Sequence, residues 1–299
     1  MTVTDTWNDR PHAQMAIEVL GQWPNLVEAV DALADEYGQE YVDAVDRHVA
    51  RLAPDGASND AVADAVDGYI EMTIDTLRLQ AEYYRTGVFA SDPSDFEAGL
   101  HDDPELMLDR YLPGLYLAQV FWPNHWRKHR WFAESYLPHI APDQHVLDVG
   151  TGPGTFGIAC RSVTDNVSFN DLSPHAQTFV DRMYPQHDNH FVIESFLDAD
   201  FDRPFDHVIF SEVVEHLPDP EAGMDRLGEL MKPGGLAFFS TATNAAFYDH
   251  TIIFETEAEI DELLTRHGFE VVERDRVLAT PGPEGRDVVD INAIVRKRA

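Results

Sequence analysis

The run HVLDVGTGPGTFGIAC, residues 145–160, decides the architecture. Its first six residues, HVLDVG (145–150), form a short apolar run that reads as a buried strand, and Thr155 to Arg161 reads as the helix that follows. Between them Gly150, Thr151, Gly152, Pro153 and Gly154 make a tight loop, because glycine tolerates positive φ and lets backbone approach a ligand closely. The next β-rich run, NVSFND (166–171), ends in Asp171, 21 residues after Gly150. A carboxylate at that position can take both hydroxyls of a ribose. The combination predicts a nucleotide-like ligand at the carboxyl edge of a parallel sheet.

Working outward, further short β-rich runs alternate with helical ones: HFVIES (190–195), DHVIFS (206–211), GLAFFS (235–240), EVVERDRVLA (270–279) and DVVDINAIVRK (287–297). Strand, helix, strand alternation predicts parallel βαβ units with right-handed crossovers. The turn-rich Pro281-Gly282-Pro283-Glu284-Gly285 separates the last two runs, so they read as an antiparallel hairpin on the sheet edge.

The first 139 residues have a different texture, with apolar residues every three or four positions. Leu26, Val30, Leu33 and Tyr37 form one stripe, opened by Pro24, and Tyr41, Val45, His48 and Leu52 form a second after Gly38. The turn Pro54-Asp55-Gly56 ends this pair. A long helix capped by Ser58, Asn59 or Asp60 carries Val62, Val66, Ile70, Ile74, Leu77, Ala81 and Tyr84 on one side and stops near Gly87. A polar stretch over 91–104 reads as a loop, and Leu112 to Tyr136 as one more helix, rich in aromatics and closed by Pro138. The expected division is a helical region 1–139, acting as a lid or dimerisation element, and an α/β domain 140–299.

The 299 residues carry 21 Lys and Arg against 54 Asp and Glu, a formal charge of −33. Both halves are acidic, with 9 basic against 25 acidic residues over 1–140 and 12 against 29 over 141–299. Such a field repels phosphate backbones and anionic headgroups, so neither nucleic acid nor membrane is an expected partner. At 44% hydrophobic the chain can build a core, and no stretch approaches the ~18 apolar residues of a membrane span. The start MTVTDTWNDR lacks a basic region before an apolar core, and the single Cys160 cannot form an internal disulfide; a cytoplasmic address is expected. Asp outnumbers Glu 33 to 21, and only Lys128, Lys232 and Lys297 stand beside 18 Arg, as in salt-adapted or high-GC sources.

The loop has no Lys or Arg, and Asp148 would oppose a pyrophosphate. A cationic adenosine ligand suits these carboxylates better, and S-adenosylmethionine carries a sulfonium. VLDVGTGPGTFGIA resembles the first motif of class I S-adenosylmethionine-dependent methyltransferases, and FNDLSPHA their acidic second strand. PFDHVIFSEVVEHLPDP, LMKPGGLAFFS and HGFEVVERD are similar to the segments around strands four, five and six of that family, so the likeness covers roughly 140–299. It implies a Rossmann-like, doubly wound α/β sheet of seven strands with the last antiparallel, and an all-helical N-terminal region added to it.

The resemblance also implies roles. Gly150, Thr151, Gly152 and Gly154 would line the methionine part of S-adenosylmethionine, with Asp148 reaching its amino group. Asp171 would hold the ribose, Leu172 the adenine face, and Glu194, Ser195 and Phe196 the adenine edge, although the family's usual Asp is here Glu-Ser. Ser211 and Glu212 would sit beneath the methyl donor. The acceptor is expected to be a small molecule attacked through an oxygen, nitrogen or carbon.

Several residues admit two readings. Glu212, His216 and His250 are the candidate catalytic groups, yet His216 beside a helix end and His250 in a loop can equally cap or pack. A metal-assisted variant would use His216 and His250, for which the sequence offers no third ligand, so no metal site is expected. Asn244 is a candidate acceptor contact or a turn former. Trp122, His125, Trp126 and His129 share a helical face, either as an aromatic seam or as a pocket wall, with Trp122 and Trp126 the substrate candidates. Arg127, Lys128 and Arg130 pair with acids or bind an acceptor carboxylate. Cys160 reads as core.

Overall fold

The computed structural model describes residues 6–7, 9–53, 59–89 and 103–298. The expected turn at 54–56, the Ser58 cap and most of the polar stretch 91–104 lie outside these residues. The chain forms two compact units, residues 1–75 with 103–127 and residues 76–102 with 128–299.

In the first unit α1 (Pro11–Leu20), which the sequence reading did not anticipate, precedes α2 (Pro24–Tyr37) and α3 (Gln39–Leu52), which follow the stripes read from sequence, burying Val30 and Leu33 from α2 and Tyr41, Val45 and Leu52 from α3. The long α4 (Asn59–Thr86) begins here, and a π-helical run (Leu106–Tyr111) leads into α5 (Leu112–Phe121). Two glycines permit the approach of these segments: a Cβ on Gly68 would stand 2.3 Å from the Arg110 oxygen, and one on Gly114 would stand 2.7 Å from the Gly68 carbonyl carbon. The Tyr41 hydroxyl donates to the Val120 carbonyl at 2.8 Å.

The single helix expected over 112–136 is broken. Trp122 is extended (φ −81°, ψ 124°), because a residue preceding proline avoids the helical region. α6 (Pro123–Trp131) restarts after it, followed by a second π-helical run, Phe132–Tyr136. The apolar stripe of α4 also slides: Leu77 is 54% exposed, whereas Gln80 and Tyr83 are buried.

The second unit is a seven-stranded sheet of β1 (Val146–Val149), β2 (Val167–Asp171), β3 (His190–Ile193), β4 (Phe205–Ser211), β5 (Met231–Thr243), β6 (Phe269–Thr280) and β7 (Val288–Lys297). Its order is β3-β2-β1-β4-β5-β7-β6. Strands one to five are parallel, while β7 pairs antiparallel with both β5 and β6. The crossovers carry α7 (Thr155–Cys160), α8 (Pro174–Met183), α9 (Pro220–Leu230) and α10 (Glu257–Arg266). Alternate residues enter two separate cores: Leu147, Val208, Phe210 and Phe239 on one face, Val146, Ile209 and Phe238 on the other. This period-two partition is what a parallel sheet covered on both faces requires. Phe132 and Tyr136 join the second core, so residues 128–139 pack as part of the sheet unit. No described helix is long and apolar enough to cross a membrane.

Candidate functional site

At the carboxyl end of β1 the chain turns through Gly150, Gly152 and Gly154, all at positive φ (61°, 49° and 78°). Space is as restrictive as conformation, since a Cβ on Gly150 would meet Val213 Cγ2 at 2.9 Å and one on Gly154 would meet Val180 Cγ2 at 2.6 Å. The Thr151 hydroxyl donates to the Asp148 carbonyl at 2.9 Å and the Thr151 amide to the Asn170 carbonyl at 3.0 Å, fastening the loop to both strands. Asp171 closes it from the other side, accepting from the Gly152 amide with one carboxylate oxygen and from the Ser173 amide with the other, each at 2.8 Å.

Asp148 is buried, and its Oδ2 accepts from the Gly157 amide at 3.0 Å. Burial drives its pKa up to about 8, with Asp171 adding to the rise and the Gly157 bond opposing it.

Around the end of β3 the expected residues separate. Leu172 is 60% exposed and Glu194 is exposed, so both are open to a ligand, and Asn170 ties the strand ends together by donating to the Val192 and Glu194 carbonyls. The Ser195 hydroxyl accepts from the Leu197 amide at 3.3 Å. Phe196 is 6% exposed and stands edge-on to Phe210 inside the first core.

Beyond β4 lies a cluster of charge. Ser211 Oγ is 2.8 Å from Ser240 Oγ, which donates to Glu212 Oε1 at 2.7 Å. Glu212 adopts φ 53°, a left-handed position uncommon for a residue with a side chain. The buried Lys128 ammonium sits 2.9 Å from Glu212 Oε1 and 3.4 Å from Asp290 Oδ2. Burial opposes its charge, but Asp290 and Glu212 outweigh burial and hold its pKa above the usual lysine value.

Three residues further on, Glu215 is 2% exposed and burial lifts its carboxyl to about 8, with Glu212 adding to the rise. Beside it the rings of His216 and His250 stand edge to face with each other, their centroids 4.9 Å apart. Burial lowers and Asp249 and Glu215 raise the His216 pKa, with the net effect upward; burial and His216 press His250 down to about 3. The fold sets Glu215 beside the two histidines: side-chain polar atoms of Glu215, His216 and His250 lie within 4.8 Å of one another. Its place immediately before His216 was a signal in the sequence, but only the fold brings His250 to it.

Asn244 sits at a turn. At φ 55° its amide group donates to the Glu255 carbonyl at 3.3 Å and the Asp287 carbonyl at 3.1 Å. Its side-chain NH2 is thus engaged with backbone. Gln80, which sequence reasoning passed over, clamps this segment by donating to the Asn244 carbonyl and accepting from the Ala246 amide, each at 2.9 Å.

Trp122 and Trp126 both lie in the first unit, where Trp122 donates to the Thr73 hydroxyl at 3.1 Å and Trp126 is buried edge-on to Tyr37 and Tyr41. His129 is stacked on Phe156 in the sheet unit, at 4.1 Å between centroids. The basic cluster is paired with acids: Arg127 with Glu36, Arg130 with Glu134, both at 2.6 Å, and Lys128 as above. Cys160 is wholly buried.

A doubly wound sheet with a glycine loop after β1 and an acidic end to β2 defines a nucleoside-binding α/β class. A family model described as a methyltransferase domain matches residues 124–274, half of the chain, and the chain belongs to that family. It is 35% identical over 113 residues to a ubiquinone biosynthesis O-methyltransferase of Xanthomonas campestris pv. campestris, an alignment taking in 36% of this chain and 47% of the relative. It is 38% identical over 110 residues to the enzyme of that name from Xylella fastidiosa, covering 34% and 44%. The chain thus spans about half the length of the curated relatives it matches. Among solved structures, the N-methyltransferase NodS of Bradyrhizobium japonicum WM9, in complex with S-adenosyl-L-homocysteine, superposes with a TM-score of 0.51 at 19% identity, over 69% of this chain and 98% of that one. That likeness is one of fold.

Proposed function

We propose that the protein transfers a methyl group from S-adenosylmethionine to a nucleophilic oxygen, nitrogen or carbon of a small molecule. The observation that carries this reading is the loop of three positive-φ glycines closed by Asp171 at the carboxyl edge, within a family of methyltransferase domains. Each Asp171 oxygen accepts from a backbone amide, which fixes the carboxylate at the edge of the loop where a ribose would lie. Gly150, Thr151, Gly152 and Gly154 line the methionine moiety, Asp148 answers its ammonium, and Leu172 with Glu194 and Ser195 borders the adenine. Ser211 and Glu212 lie beneath the sulfonium.

The donor is already activated, so the protein's main contribution is alignment of acceptor and methyl, which is worth up to ~7 to 11 kcal/mol. A base is needed only where the acceptor retains its proton; Glu212, His216 and His250 are the groups at hand. The helical region 1–139 is proposed to serve acceptor recognition or self-association, and the protein to act in the cytoplasm.

Calorimetric titration with S-adenosylhomocysteine tests the reading. Asp171→Ala should weaken binding by about tenfold or more through lost charge-assisted bonds of ~1.5 to 3 kcal/mol. A folded Asp171→Ala protein with unchanged affinity would remove Asp171 from the site, and no binding by the parent protein would remove the function.

A further inference from the structure

We infer that Glu212, held in place by Lys128 and Ser240, reads the charge on the donor's sulfur, so that the site favours cationic S-adenosylmethionine over neutral S-adenosylhomocysteine. The inference rests on the methyl-transfer reading and makes Lys128 a positioning residue within it.

The carboxylate is gripped from the interior. Lys128 Nζ approaches Glu212 Oε1 at 2.9 Å from a side chain only 2% exposed, whereas the glutamate side chain keeps 31% of its surface open. Ser240 has a single hydroxyl proton and donates it to the same Oε1 at 2.7 Å, so Ser211, 2.8 Å from Ser240, is the donor in their contact. An ammonium and a hydroxyl on one oxygen favour the ionised carboxylate. Lys128 also stands 3.4 Å from Asp290, and one ammonium against two carboxylates leaves the group with an excess negative charge. The backbone agrees: Glu212 is held at φ 53°, a conformation that persists only where the surroundings impose it, and its amide donates to the Ser240 carbonyl at 2.9 Å.

The same elements border the donor loop. Val213, the next residue, is the side chain that a Cβ on Gly150 would meet at 2.9 Å, which sets the turn against the start of the loop. His129, the residue after Lys128, stacks on Phe156, and its Nε2 lies 3.5 Å from the Thr155 hydroxyl at the loop's exit. Two neighbouring residues of α6 therefore reach from the exit of the loop to Glu212, and a donor seated in the loop lies beside that carboxylate.

Methyl transfer breaks the carbon–sulfur bond with both electrons remaining on sulfur, while a lone pair of the acceptor forms the new bond and any proton on the acceptor leaves to water or a base. The sulfur loses its positive charge, and its attraction to Glu212 goes with it. Adenine, ribose and amino-acid parts are common to the two ligands, so Asp148 and Asp171 cannot tell them apart. The attraction is strongest before transfer and does not itself lower the barrier. Its use is exchange of spent product for fresh donor.

Equilibrium titration with both nucleosides separates charge reading from support of the fold. Glu212→Gln, which keeps the size of the side chain, should weaken S-adenosylmethionine by about tenfold and S-adenosylhomocysteine by less than about twofold. Lys128→Met should narrow the preference in the same direction, and Lys128→Arg, which keeps the charge, should retain it. Equal losses for both ligands, or a preference widened by Lys128→Met, would overturn the inference. Where Lys128→Met fails to fold, Glu212→Gln decides alone. A parent protein that binds neither nucleoside defeats the methyl-transfer reading, whereas one that binds both, with a ratio that Glu212→Gln leaves unchanged, defeats the charge reading alone.

Discussion

Lys128 keeps an ammonium in the interior with 1% of its surface exposed, and its removal would take a cation away from Asp290, itself 3% exposed. Breaking a buried pair in this way costs about 3 to 5 kcal/mol. Lys128→Met should therefore lower the urea midpoint steeply, and adding Asp290→Asn should restore part of the loss. The residue was visible in the sequence only as one of three basic neighbours, because its partners come from β4 and β7 and no local spacing announces them. Gly154 is the opposite case. Its place in a glycine loop was legible from contiguous residues, and both its φ of 78° and the 2.6 Å approach to Val180 explain it. Gly154→Ala should cut S-adenosylhomocysteine affinity while far-ultraviolet circular dichroism stays unchanged. Phe196 and Asn244 show that a residue type at a family position does not report which of its polar atoms, or whether its ring, is already engaged with the fold.

At the scale of elements, the strands were legible because each is a short apolar run bounded by turn residues, and their ends moved by only a residue or two, apart from β5, which begins at Met231. Helices in the first unit were legible where they are amphipathic over their full length. α4 departs from its stripe because Gln80 turns inward to grip the segment after β5, a contact that no periodicity encodes. Gln80→Leu preserves volume but leaves the Asn244 carbonyl and the Ala246 amide buried without partners, each at about 1 to 3 kcal/mol. Hydrogen exchange over residues 244–250 should accelerate more than exchange in β1 or β4. A uniform acceleration throughout the sheet would mean that Gln80 supports the whole unit rather than the His250 segment.

The molecule as a whole holds titratable groups in their neutral forms on both sides of neutrality. Asp148, with a pKa near 8, and Glu215, raised likewise, bind more protons when folded than when unfolded. Their contribution is fully present below the unfolded carboxyl range and is lost as pH rises toward 8. His250 and His129, both near 3, and His207, near 4, act in the reverse sense, and their contribution is lost as pH falls below 6.5. Between pH 4 and 6.5 the two groups oppose each other, whereas above 6.5 the carboxyls act in the same sense as His216 and His267, whose pKa values are raised. Stability should fall across that upper window by up to about 1.4 kcal/mol per pH unit for each group. Calorimetry of Asp148→Asn should show a shallower decline, as its amide oxygen can still accept from Gly157. A surface charge of −33 adds that the melting temperature should rise with salt, and an unchanged value in molar salt would end the salt-adaptation reading.

The strand order carries a consequence for how the chain is made. β7 is inserted between β5 and β6, and it delivers Asp290 to Lys128. During synthesis β6 therefore has no neighbour in the sheet, and the ammonium at 128 lacks one of its two counter-charges, until Val288–Lys297 have cleared the ribosomal tunnel. Folding of the sheet unit is bound to finish after translation of its other strands rather than alongside them. Nascent chains stalled before residue 288 should remain open to protease within β6, and those released beyond it should close.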